Sequence, residues 1–308
     1  MGAIRHGMIC VPGAAESPRM PFARSREREE AALRRVGIVG CSNPLAESRR
    51  EALEGLLRTL RRIGLEPVTG GNLFAPGGLP AARAEALMAL YRDPSIDAIF
   101  DVTGGDLANE VLGHLDWPVI AASEKPLWGY SDLTCLLNAI LARTGRPSVL
   151  YTAWNLVGGD AARQQRDFCH SLNGGDALFR FDVEFLQGTR MAGDVAGGNI
   201  RCLLKLAGTP FWPDLRGRIL LLESLGASAE QFCAYIAQLD QIGAFDAAAG
   251  VLLGTFTRLE AQGGMEDAVA RLSAVLGPEK PLARTRQIGH GADSRAVWIG
   301  RRIELSAT

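Results

Sequence analysis

VGIVGCSNPLAESRREALEGLLRTLRRIG, residues 36–64, is the stretch whose pattern sets the fold class. Its first five residues, Val36-Gly37-Ile38-Val39-Gly40, form an apolar run of strand length. Ser42-Asn43-Pro44 then supplies a helix cap with proline in the first turn. Leu53, Leu56, Leu57, Leu60 and Ile63 recur at helical spacing, and Gly64 closes that helix. The alternation continues with a strand at 65–69, a helix at 81–91 and a strand at 98–102. A Gly104-Gly105 turn, a helix from about 107, a strand at 126–130 and a helix at 133–144 follow. Strand and helix alternating at this pace predict a parallel sheet with helices on both faces.

From about 152 to 188 the pattern loosens around Gly158-Gly159 and Asn173-Gly174-Gly175. A second α/β unit is expected beyond it: 193–198, a helix at 199–206, a strand at 219–222, a helix at 229–239 and a strand at 250–253. Short strands at 296–300 and 302–305 close it. The expected organisation is therefore an N-terminal α/β domain at 32–155, a linker at 156–187 and a smaller C-terminal α/β domain at 188–308. Residues 1–31 read as an extension outside the fold. Their weak apolar patch is cut short by Pro12-Gly13, and an Arg/Glu-rich stretch follows.

Of 308 residues, 47% are hydrophobic, enough for a sizeable core and for about two domains. With 33 basic against 34 acidic side chains the net charge is −1, which argues against a nucleic-acid or anionic-membrane binder. No apolar run approaches the roughly 20 residues that span a bilayer. Only Lys125, Lys205 and Lys280 among the basic residues are lysine. The arginine excess fits genomic base composition better than anion recognition. Six cysteines (Cys10, Cys41, Cys135, Cys169, Cys202, Cys233) lie scattered, without metal-ligand spacing, as in a reducing cytoplasm. No metal or cofactor motif is present.

Chemistry is expected at the carboxyl ends of the parallel strands. In Trp128-Gly129-Tyr130-Ser131-Asp132, Ser131 falls between a strand and a helix N-terminus, where the N–H of Asp132 suits an oxyanion. An ordinary N-cap serine fits the same local pattern. Thr103-Gly104-Gly105-Asp106 could bring backbone N–H groups against a ligand, but has neither dinucleotide nor P-loop spacing. Of the four histidines, His290 stands apart in the Gly-flanked loop Ile288-Gly289-His290-Gly291-Ala292-Asp293. Glu223 ends the apolar run 219–222, where a carboxylate either faces solvent or needs a partner.

Gly129-Tyr130-Ser131-Asp132 resembles the nucleophile motif of the LD-carboxypeptidases, the muramoyltetrapeptide carboxypeptidase family. Gly104-Gly105 resembles that family's glycine turn. Gly197-Gly198-Asn199, followed by Leu206-Ala207-Gly208-Thr209-Pro210, resembles the opening of its second domain. The segment 217–223 resembles its acid-bearing strand, and Gly289-His290-Gly291 its histidine loop. The five segments occur in the family's order between about Val36 and Leu305.

The resemblance implies a Rossmann/flavodoxin-like N-terminal domain, a smaller C-terminal α/β domain and an active site in the cleft between them. It implies a metal-independent Ser131–Glu223–His290 triad, an oxyanion hole from the N–H groups of Gly105 and Asp132, and substrate contacts at Thr103, Gly104, Asp106 and Asn199. No cofactor is implied. The substrate would be a small peptide or muropeptide, losing a terminal D-alanine during cytoplasmic cell-wall recycling, and the enzyme a homodimer. Thr103 and Asp106 depart from the Arg and Tyr that commonly flank the paired glycines, which leaves substrate identity open. Microcin C immunity peptidases, similar in fold and triad, are the alternative, and a stacking platform at Trp154 or Trp212 would favour them. A two-domain binder without turnover is the reading outside the enzymes.

Overall fold

The computed structural model describes residues 5–10, 34–71, 73–74 and 78–307. The first strand, β1 (Arg5–Cys10), belongs to a sheet that only the C-terminal half of the chain completes. The next five, β2 (Arg34–Val39), β3 (Leu65–Thr69), β4 (Ala98–Asp101), β5 (Leu127–Gly129) and β6 (Ser148–Leu150), form a parallel sheet. They alternate with helices α1 (Arg50–Arg62), α2 (Pro80–Arg92), α3 (Trp117–Ala122) and α4 (Thr134–Thr144), and α5 (Ala161–Leu172) follows β6. The remaining strands are β7 (Asp182–Gln187), β8 (Arg190–Asn199), β9 (Ile219–Ser224), β10 (Gly250–Phe256), β11 (Leu282–Arg284), β12 (Val297–Ile299) and β13 (Arg302–Ala307). Helices α6 (Ile200–Leu204), α7 (Ala229–Gln241), α8 (Ala244–Ala247), α9 (Thr257–Ala261) and α10 (Met265–Leu276) lie among them.

The first sheet has the order β12-β6-β5-β4-β2-β3. Strand β2 has β3 on one side and β4 on the other, so the chain reverses direction across the sheet there, and ligands bind at such switch points. On one face α1 buries Leu53, Leu56, Leu57 and Leu60 together with Val36, Ile38, Phe100 and Trp128. The other face, with α2 and α4, is continuous with the core of the second sheet. That sheet closes into a barrel, β1-β13-β8-β9-β10-β11-β7, with β8 to β11 parallel and the other pairings antiparallel.

Helix α4 explains why the two units form one core. Every residue from Thr134 to Leu141 is buried, the signature of a helix packed on all sides rather than on one stripe. It runs between the sheet and the barrel. Its one buried amide, Asn138, exchanges two hydrogen bonds with the backbone of Gly197 on β8, at 2.8 and 2.9 Å. Gly198 must be glycine in this arrangement: its φ is +131°, and a Cβ would lie 2.8 Å from Thr134 Oγ1.

The α/β class, the strands from Val36 to residue 130 and the helices at α1, α2 and α4 agree with the pattern, and α3 (Trp117–Ala122) is an element the pattern does not show. Residues 5–10 are not outside the fold, because they pair with β13 and β7 and close the barrel. The rest of the expected extension lies outside the described residues. The supposed linker holds α5, which buries Phe168 and Leu172 in the core of the first sheet, and β7, a barrel strand. The glycines that suggested a linker only punctuate it. The helix expected from 107 is a 3-10 helix, Ala108–His114. The strand expected to help close the second unit instead joins the first sheet as β12, antiparallel to β6. The misplaced strands are pairings between segments distant in sequence, which local periodicity does not encode.

Candidate active site

Strand β5 ends at Gly129, Tyr130 stays extended, and Ser131 opens a 3-10 turn that leads into α4. Ser131 has a φ of +55° and is the one non-glycine residue with positive φ among the described residues. An L-residue there stores roughly 1–2 kcal/mol of strain. Such strain recurs where a side chain must project from a sharp strand-to-helix corner. Gly129 makes the corner possible, since a Cβ at that position would meet Leu133 Cβ at 2.7 Å. The unstrained N-cap reading does not apply: no side-chain hydrogen bond caps the turn at Tyr130 or α4 at Leu133.

Glu223 and His290, 67 residues apart, meet. Nδ1 of His290 lies 2.8 Å from Glu223 Oε2. Glu223 is wholly buried at the end of β9, and its other oxygen accepts from Asn199 Nδ2 at 3.1 Å. A buried carboxylate requires such partners. Gly254 on the neighbouring strand β10 makes room, because a Cβ there would fall 3.0 Å from Glu223 Cβ and 2.4 Å from Ile288 O. The far imidazole nitrogen, Nε2, is buried and has no hydrogen-bond partner. The Tyr130 ring packs edge-on against the imidazole, with centroids 4.9 Å apart, so the residue preceding Ser131 touches His290 across the seam between sheet and barrel. Burial, and then the Glu223 charge, push the Tyr130 phenol well above its ordinary range.

The histidine loop is held from several directions. Thr255 N donates to Ile288 O at 2.8 Å, and Gly289 N to Ser294 Oγ at 3.2 Å. Gln164, buried on α5, donates to Ala292 O and Ser294 O at 2.9 and 3.0 Å and accepts from Tyr151 Oη at 3.0 Å. Arg295 pairs with Asp167 on the same helix. The supposed linker therefore fixes the loop that carries the imidazole.

The glycine turn lies at the switch point. Gly104 bridges to Asn43, and Asn43 Oδ1 accepts from Asp106 N at 2.8 Å. Gly105, at φ +127°, sits so close to Asn43 that a Cβ would come within 2.3 Å. Thr103 donates its hydroxyl to the buried Asp101 at 2.6 Å and accepts from Ser42 N at 3.1 Å. Burial raises the Asp101 carboxyl above its usual range. The Asp132 side chain is wholly buried behind this turn and accepts from Ser42 Oγ at 2.6 Å and Ala108 N at 2.8 Å. It also pairs with Lys205, the C-cap residue of α6.

Asn199 departs from the expected substrate contact. It is buried, its amide is spent on Glu223, and its carbonyl caps α6 at Cys202 N, 3.3 Å away. Lys205, Arg201 and Gln164 carry no local motif. Lys205 could have been singled out as one of only three lysines, whereas Gln164 gives no signal short of the fold. Among the described residues no group of three or more His, Cys, Asp or Glu could hold a metal ion, and no helix is long and apolar enough to cross a membrane.

Residues 36–151 match the LD-carboxypeptidase N-terminal domain, and residues 192–305 match the LD-carboxypeptidase C-terminal domain. The chain belongs to the LD-carboxypeptidase family. Among its curated relatives, the murein tetrapeptide carboxypeptidase of Pseudomonas aeruginosa is 31% identical, over 88% of this chain and 92% of that protein. The microcin C7 self-immunity protein of Escherichia coli is 25% identical, over 88% and 90%. The crystal structure of an MccF-like protein from Bacillus anthracis superposes with a TM-score of 0.79 at 21% identity, covering 89% of this chain and 94% of that one. The two-sheet architecture is thus shared with that structure.

Proposed function

We propose that this LD-carboxypeptidase family member is a metal-independent serine peptidase that releases a terminal D-amino acid, D-alanine of a murein tetrapeptide, by cleaving an L,D bond in the cytoplasm. The observation that carries the reading is the buried Glu223–His290 pair, whose free Nε2 belongs to a ring in contact with the residue preceding a strained serine. Ser131 Oγ attacks the scissile carbonyl carbon while His290 Nε2 takes the hydroxyl proton. Glu223 fixes the tautomer that leaves Nε2 free to accept and stabilises the imidazolium. The N–H groups of Gly105 and Asp132 receive the oxyanion. His290 then protonates the departing amine, the C–N bond breaks, and a water activated by the same imidazole hydrolyses the acyl-enzyme. Asn199 acts on this chemistry by holding Glu223.

A murein peptide is favoured over a peptidyl-nucleotide by the stronger likeness to the Pseudomonas enzyme and by the two tryptophans. The Arg49 guanidinium sits 4.2 Å over the Trp154 ring, and the indole N–H is spent on Val102 O. Trp212 packs against the core. The test is mass spectrometry of products from murein tetrapeptide and from a microcin-type conjugate, with and without EDTA. Tripeptide plus D-alanine, at equal rates in both buffers, is expected. Cleavage of the conjugate alone, or loss of activity in EDTA restored by zinc, would overturn the reading.

A further inference from the structure

A peptidase that removes only the last residue must recognise the free carboxylate beside the scissile bond. That carboxylate is one carbon removed from the scissile nitrogen, so its binding group has to stand within a few ångströms of the oxyanion turn. Among the described residues two cations contact this turn, Arg201 on α6 and Lys205 at the C-cap of the same helix. Lys205 donates to Asp106 O at 2.8 Å and pairs with the buried Asp132. Arg201 donates to Gly105 O at 3.0 Å and pairs with the Asp106 carboxylate.

The two differ in availability. Lys205 is 18% exposed and its partner Asp132 is wholly buried, so withdrawing the ammonium would strand a buried charge. The Arg201 and Asp106 side chains are 42% and 64% exposed, and water screens such a pair. The Asp106 backbone is pinned at both ends, its N–H by Asn43 and its carbonyl by Lys205. Its side chain can therefore swing out without disturbing the turn. One end of the guanidinium would stay fixed on Gly105 O, and the other would already be aimed at a carboxylate.

We propose that Arg201 binds the terminal carboxylate of the substrate, and that Asp106 occupies the guanidinium in the free enzyme as a built-in carboxylate that the substrate displaces. A planar guanidinium fork suits this task better than an ammonium. Arg201 is then a specificity-determining residue and Asp106 its competitor.

This inference rests on the carboxypeptidase reading. The experiment compares kcat and KM for tetrapeptide ending in D-alanine and for its C-terminal carboxamide, in wild type, Arg201→Ala, Arg201→Lys and Asp106→Asn. Wild type should prefer the acid. Arg201→Ala should raise KM for the acid about 10- to 100-fold with kcat little changed, and should erase the acid-over-amide preference. Arg201→Lys should restore part of it. Asp106→Asn should lower KM for the acid a few-fold. Arg201→Ala and Arg201→Lys variants that keep the full wild-type preference would overturn the clamp and leave the carboxypeptidase reading intact. A wild-type enzyme that cleaves neither peptide, or both equally, would overturn the carboxypeptidase reading and the clamp with it.

Discussion

The serine turn and the histidine loop each aim one side chain, and they do so by opposite means. The turn is local. Four residues, Gly129 to Asp132, are clamped between a strand and a buried helix, and the direction of Ser131 follows from one strained φ and one close glycine contact. The loop has no regular structure of its own and is held by partners far away in the chain: Glu223, Thr255 and, across roughly 130 residues, Gln164. A short motif is enough to specify the first arrangement. Only the completed fold specifies the second.

The sharpest way to break the comparison is to remove the proposed nucleophile. Ser131→Ala keeps the backbone requirement and loses the hydroxyl, so turnover should fall at least about 10⁴-fold while the thermal midpoint stays near wild type. Substantial activity in the purified variant would show that the strained turn serves something else. Next comes the proposed acid. Glu223→Gln retains packing and one acceptor, but its amide can favour the wrong imidazole tautomer. A loss on the order of 10²–10⁴-fold in kcat with KM little changed is expected.

Stability measurements separate the supports behind each arrangement. Lys205→Met leaves the buried Asp132 carboxylate without its cation, and denaturant titration should show a loss of about 3–5 kcal/mol. Adding Asp132→Asn should recover much of it, because the uncompensated charge is then gone. Gln164→Leu strips two loop carbonyls and the Tyr151 hydroxyl of their partner. It should cost about 1–3 kcal/mol and slow kcat about 10- to 100-fold through misplacement of the imidazole. If Gln164→Leu lowers stability alone, the loop is held well enough without α5.

The same contrast explains what could be read from the sequence. The alternation of Val36–Gly40, the leucines of α1 and the later strands is periodic, so the first sheet was legible element by element. Ser131, the glycine turn and His290 were legible because glycines mark unusual backbone. The pairing of Glu223 with His290 came from family resemblance and not from local pattern. Strand β1 has a glycine in its middle and partners far along the chain, so its local pattern does not mark it as a strand. The transfer of β12 to the first sheet and the packing role of α5 are likewise set by distant partners. Asn199 reads from the sequence as a substrate contact, whereas its side chain holds Glu223 and caps α6, a task that no spacing announces.

The most direct test of the account is covalent labelling of the intact protein with a serine-directed fluorophosphonate, followed by mass mapping of the adduct. Activation of one serine by His290 and Glu223 predicts a single phosphonylated residue, Ser131, with labelling strongly slowed in His290→Ala. No adduct on an enzyme that still hydrolyses its peptide, or an adduct on another serine such as Ser42 or Ser294, would contradict it.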